Sequence, residues 1–207
     1  MKQSQIFETI ASGLNDVLIL PYDVTIVLTE GGTVNAWWDP STHQIVLTYE
    51  LIMYFNELFT PYAQSDEELG TAIIYTTLFV FSHEMGHALV SAYELPITGK
   101  EEDAVDQLAT LIFIESDTAD VALTAANWFY LAWEQGGSQE LPFWDVHSLD
   151  PQRYYNILAW IYGSDPVRFS SIVTGGYLPA ERAATAQYEY QQMLNSWNTL
   201  LSPYLKE

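Results

Sequence analysis

The stretch Val80-Phe81-Ser82-His83-Glu84-Met85-Gly86-His87-Ala88-Leu89 constrains this chain more than any other. It sets an H-E-x-x-H motif inside an apolar run, where Glu84 is the one charged residue between Ala72 and Val90. On a helix, positions i and i+4 share a face, so His83 and His87 can present two imidazoles to one Zn²⁺. A catalytic zinc keeps one position for water, which leaves room for a single further protein ligand. Glu84 follows His83, turned by roughly a third of a helical turn. That sets its carboxylate beside the metal rather than on it, as general base on a zinc-bound water. Two imidazoles and a carboxylate in an apolar run also need a partner, and a cation supplies one.

With 207 residues, 49% of them apolar, the chain can bury a real core. Its net charge of −21, with only six Lys and Arg, offers no basic stripe to neutralise phosphates. Nucleic acid is therefore not an expected partner, and neither is an anionic membrane surface. There is no cysteine and there are four His, so any zinc must be held by nitrogen and carboxylate oxygen. The run Thr71–Val90 is about membrane-spanning in length, but His83, Glu84 and His87 sit in its last third. It reads as a buried core helix, with no integral membrane segment. No secretory signal precedes the first helix, and a leader removed ahead of Met1 would make the protein secreted or periplasmic.

In chain order, Gln3–Leu18 has helical apolar spacing and ends at Pro21. Val24–Thr29, Thr33–Trp38 and Gln44–Tyr49 read as strands separated by Gly31-Gly32 and Asp39–Thr42 turns, a small antiparallel meander. From Glu50 to Pro61 the pattern is helical. Ser65-x-x-Glu68 is a capping box opening a long helix to about Leu95, and Thr98-x-x-Glu101 opens another to about Glu115. Thr118–Gln135 follows, then a loop over Gly136–Leu149. Asp150-Pro151 starts a helix to Tyr162, Asp165-Pro166 a short one, and Pro179–Tyr204 reads as a final long helix. The expectation is one α+β domain over residues 1–207, mostly helical, with a small antiparallel sheet and a long H-E-x-x-H helix.

Downstream of His87 lies Glu101-Glu102-Asp103-Ala104-Val105-Asp106. The capping box accounts for Glu101, and the helix macrodipole accounts for acids such as Asp103 in a first turn. Glu102 and Asp106 remain, four apart on one face. Glu102 is assigned as third metal ligand. Asp106 is assigned to accept a hydrogen bond from the far nitrogen of a ligand His, with Asp106 as ligand the main competitor.

His83-Glu84-x-x-His87 followed fifteen residues on by Glu102-x-x-x-Asp106 resembles the gluzincin arrangement of zinc peptidases. Asn35-Ala36-Trp37-Trp38-Asp39-Pro40, the zinc helix, Glu101–Leu108 and His147-Ser148-Leu149-Asp150 through Asn156 resemble a bacterial metallopeptidase family known from its zinc motif. The resemblance spans most of the chain and implies a zincin-like fold. It also implies that Asn35, Ala36 and Trp37 line the cleft as a strand to which a peptide adds. A simple meander would instead bury that strand mid-sheet. The resemblance further implies a downstream His or Tyr that stabilises the oxyanion, and His147 is the candidate. Arg153 is a second polar candidate, pairing with a site carboxylate or receiving a substrate's terminal carboxylate. Both also have structural readings: His147 bonded within its loop, Arg153 paired with Asp150 or another acid.

The function expected from these residues is zinc-dependent hydrolysis of peptide bonds in a peptide or protein substrate. Glu84, His147 and Arg153 would serve the chemistry, and His83, His87 and Glu102 the metal. The alternatives are a non-enzymatic, zinc-containing peptide-binding or structural module and a zinc hydrolase of other substrates. A fourth protein side chain closing the metal would favour the module. The oligomeric state is left open by the sequence.

Overall fold

The computed structural model describes residues 5–136 and 145–206. Helix α1 (Ile6–Val17) precedes three strands, β1 (Thr25–Thr29), β2 (Ala36–Asp39) and β3 (Gln44–Thr48). Helices α2 (Tyr49–Phe59), α3 (Asp66–Tyr93), α4 (Glu101–Glu115), α5 (Ala119–Gly136) and α6 (Asp150–Ser164) follow, then the short α7 (Ser170–Thr174) and α8 (Ala180–Ala183) and finally α9 (Ala186–Leu201). This is the α+β architecture expected, mostly helical around one small sheet.

Helix α3 forms because its interior holds no Pro and its start is well capped. The Ser65 hydroxyl accepts from Glu68 N at 3.1 Å, and the Glu68 carboxylate reaches back to Gln64 N at 2.8 Å. It is apolar around most of its girth, and it is buried accordingly. Helices α2, α4 and α5 and strands β2 and β3 wrap it. Phe79, Phe81, Met85 and Leu89 join the main core, and Val80 joins a smaller cluster with Leu51, Phe55, Leu58, Phe59 and Leu131. No described helix is long and apolar enough to cross a membrane.

The sheet departs from the meander. Its order is β1-β3-β2, with β1 parallel to β3 and β2 antiparallel to it. The reason is burial: Ile45, Val46, Leu47 and Thr48 are all buried, whereas no residue of β1 or β2 is fully so. The buried strand takes the centre, and Ala36–Asp39 goes to an edge. The glycine turn after β1 is therefore a crossing loop, not a hairpin. The Glu50 carboxylate holds it through Gly31 N (3.1 Å) and Gly32 N (2.7 Å). Thr48, fully buried, ties the parts together: its hydroxyl accepts from Asn35 N and from Leu51 N, both at 3.2 Å, and caps α2.

Three helix boundaries also differ. Helix α4 starts at Glu101 with Lys100 as N-cap and no side-chain cap, so the Thr98 box does not form. The final helix is broken at Ala184-Thr185, where α9 turns onto α6. Gly163 makes that approach possible, since a Cβ there would lie 2.2 Å from the Ala186 carbonyl oxygen. Arg182 and Glu189 bridge the break at 2.7 Å. Asp165 accepts from Val167 N and Arg168 N and makes a turn, and α7 begins only at Ser170. The expected loop after Gly136 falls largely on residues 137–144, outside the described residues.

One glycine decides how the site is assembled. A Cβ on Gly86, inside the motif, would stand 2.8 Å from Val105 Cβ and 2.9 Å from its Cγ1. The bare backbone lets α4 lie close against α3. Gly86→Ala would ordinarily favour a helix by about 1 kcal/mol, yet here overpacking is expected to leave a net loss of about 1–3 kcal/mol. Urea unfolding of the two proteins checks this.

Candidate metal centre

Helix α3 carries His83, Glu84 and His87 to the middle of the fold, where His83 and Glu84 are buried. The first turn of α4 faces them across the Gly86–Val105 contact. Glu102 Oε2 lies 3.2 Å from His83 Nε2 and 3.4 Å from His87 Nε2. A third imidazole arrives from the segment before α6: His147 Nε2 stands 3.1 Å from the same oxygen. Donor atoms of His83, Glu102 and His147 all lie within 4.8 Å of one another, a spacing that could hold a metal ion. His87 stands outside that group, with its Nε2 3.4 Å from Glu102 Oε2.

Each imidazole is held from behind by a carboxylate. His83 Nδ1 is 2.7 Å from Asp106 Oδ1, His87 Nδ1 is 2.7 Å from Glu101 Oε1, and His147 Nδ1 is 3.0 Å from Asp145 Oδ1. With Nδ1–H given to a carboxylate, each Nε2 of a neutral ring carries a lone pair aimed inward. Glu102 Oε2 is buried, and it finds no hydrogen-bond donor although three ring nitrogens stand within 3.4 Å. Three ring nitrogens thus face one carboxylate oxygen, with His83, Glu102 and His147 the tighter group. Protons at each contact would relieve this piecemeal, whereas one divalent cation held by His83, Glu102 and His147 satisfies them together, so the donor set fits a metal.

The electrostatics say the same. Burial pulls the His83 imidazole down, but the carboxylates of Asp106 and Glu102 beside it outweigh this and push it up to about 9. His87 also rises, burial opposing Glu102 and Glu101, and His147 rises chiefly through Glu102. Burial pushes Glu102 up, but the three imidazoles hold it far below the usual carboxylate range. The cluster calls for positive charge at its centre. Glu84 is different: burial pushes its carboxyl up, and His83, His87 and the Trp38 backbone recover only part of that. A carboxyl raised in this way is a better proton acceptor than an ordinary one.

Behind His83, Asp106 is fully engaged. Arg153 Nε donates to Oδ2 and Nη2 to Oδ1, both at 2.7 Å. Burial pushes Asp106 up, but Arg153 and His83 hold it far below its usual range. The guanidinium also sits 4.0 Å above the Phe129 ring.

In front of the cluster runs the open edge of β2. The Asn35 carbonyl accepts from Thr48 N at 3.1 Å. Antiparallel residues alternate their bonding direction, so Ala36 and Trp38 turn N–H and C=O away from β3. A groove of about 520 Å³ lies there, with Asn35, Ala36, Trp37, Trp38 and Pro40 on one side and His83, Glu84, His87, Glu102 and His147 on the other. The structure thus brings Glu84, the three imidazoles, Glu102 and the β2 edge to one groove, with Asp106 and Arg153 directly behind it.

Sequence reasoning missed two members. Glu101, read as half of a capping box, instead holds His87. Asp145 stands two residues before His147, and that acid-x-His spacing was its only signal. Asp103, read as a macrodipole acid, accepts from the Ser148 hydroxyl at 2.6 Å.

The sequence pattern of one protein family, described as "Putative metallopeptidase", matches residues 1–201. No curated protein and no solved structure matches the chain.

Proposed function

The chain belongs to the family so described, and on that premise we propose that it is a zinc-dependent endopeptidase of gluzincin type acting on extended peptide segments, with residues 1–207 as one domain. One observation carries the reading: three imidazole nitrogens lie within 3.4 Å of one carboxylate oxygen, beside a strand edge that pairs with no other strand among the described residues. Nitrogen and oxygen donors without thiolate suit Zn²⁺, and His83, His87 and Glu102 would hold it. Such an ion supplies Lewis acidity to the scissile carbonyl and lowers the pKa of a water.

The chain's own residues do the rest. Glu84 takes the proton of the attacking water and returns it to the leaving amine. An extended peptide lies along β2, bonding the main chain of Ala36 and Trp38, with Asn35 and Trp37 beside it. His147, protonated on Nε2 once substrate is bound, faces the oxyanion as it develops. Asp106 and Glu101 fix the tautomers of His83 and His87. Arg153 works through Asp106, which accepts from its Nε and Nη2.

The test is a digest. Zinc-loaded protein is expected to cut denatured casein or a peptide library, to lose cleavage on chelation and to regain it with Zn²⁺, as read by mass spectrometry. Zinc at about 100 times its Kd should also add about 2.7 kcal/mol of stability, seen as a rise in Tm. Cleavage that persists in metal-free protein removes this mechanism. One observation favours the rival, a non-enzymatic zinc module: His147 is close enough to Glu102, 3.1 Å, to be a fourth protein donor.

A further inference from the structure

We infer that His147 is a fourth donor to the metal in the resting molecule and that substrate displaces it, so that the segment Asp145–Leu149 is a built-in stopper on the site. This rests on the metal reading above, and it reconciles a fourth donor with catalysis.

Distance carries the argument first. Donors at about 2.0–2.1 Å from a tetrahedral ion are about 3.3 Å from one another. His147 Nε2 is 3.1 Å from Glu102 Oε2, within the same range as His83 at 3.2 Å and His87 at 3.4 Å. The tautomer agrees. Asp145 holds the His147 Nδ1–H as Asp106 and Glu101 hold those of His83 and His87, which leaves an inward lone pair rather than an inward proton.

Burial then separates this donor from the others. The side chains of His83 and Asp106 are 7% and 4% exposed, those of His147 and Asp145 46% and 45%. The first pair is locked in the core, whereas the second stands at the mouth of the groove. What holds the stopper is also superficial. Lys100 Nζ donates to the carbonyls of Asp145 (3.2 Å) and His147 (3.4 Å), and Ser148 donates to Asp103. All these anchors lie on the N-cap and first turn of α4, beside Glu102. Displacement is a simple ligand exchange: the Nε2 lone pair withdraws, an oxygen donor of the substrate takes the place, and no electron changes hands.

X-ray absorption on the native chain loaded with one Zn²⁺ tests this without a variant. Three imidazoles are expected, falling to two when a peptide hydroxamate is added. By competition with a chelator, His147→Ala should raise the zinc Kd at least about tenfold, and Asp145→Asn by less. Two imidazoles in the ligand-free protein, with an unchanged Kd in His147→Ala, overturn the stopper. If that protein still cleaves peptides, the peptidase reading survives. Three imidazoles in a protein that cleaves no peptide keep His147 on the metal and overturn the peptidase reading instead. Failure to bind zinc at all overturns both.

Discussion

Replacing Glu84 with Gln is expected to lower peptide cleavage by about 10²–10⁴-fold and to leave zinc bound. The amide has the shape of the carboxylate but cannot accept a proton at working pH. Glu84 is not among the groups around Glu102 Oε2, so the donor set is untouched. The fold should not suffer either. Burial already disfavours the charged form of Glu84, and a neutral side chain there removes that penalty. Initial rates on one peptide substrate, with zinc content measured on the same sample, check both halves. Turnover within tenfold of the parent would show that another group takes the proton.

Asp106→Ala is expected to be the most damaging single change to stability. It strips the partner from Arg153, whose side chain is 12% exposed, and from His83 at once. Removing one member of a buried pair leaves an uncompensated charge and costs about 3–5 kcal/mol, a large share of the 5–15 kcal/mol typical of a folded domain. Zinc affinity should fall as well, by about 10–100-fold, because His83 loses the group that fixes its ring. Arg153→Met should cost less, since Asp106 keeps its bond to His83. Urea unfolding with and without chelator separates the two effects. A loss under 1 kcal/mol in Asp106→Ala would mean that the pair contributes little.

The long helix, its capping by Ser65 and the approach of Glu102 to the paired imidazoles were legible because they rest on local rules, namely helical period, cap chemistry and i, i+4 spacing. Strand order was not. Hairpin signals describe turns, whereas the order here shows only in burial, and the Ile-Val-Leu-Thr run of the central strand, Ile45 to Thr48, is repeated at Ile26 to Thr29 on the edge. Glu101 was misread for a related reason. A capping box and a bond to a distant imidazole compete for one carboxylate, and the imidazole, fourteen residues away in sequence, is visible only in space. The break before α9 depends on Gly163 meeting a backbone carbonyl, a contact with no sequence period. Arg153 could be assigned to some carboxylate from composition alone, but choosing Asp106 over Asp150 needed the packing of α6 on α4.

The mouth of α4 gives this fold an unusual sensitivity to chain length. Lys100, Glu101, Glu102 and Asp103 are consecutive, and each grips a different part of the site: the His147 backbone, His87, the cluster centre and Ser148. One residue inserted into that turn would rotate the grips before it by about 100° relative to those after it, so that they no longer meet one site. The connector Leu95–Gly99 is anchored by Leu95 and Ile97 in the core, and within the turn that follows spacing is fixed to the residue.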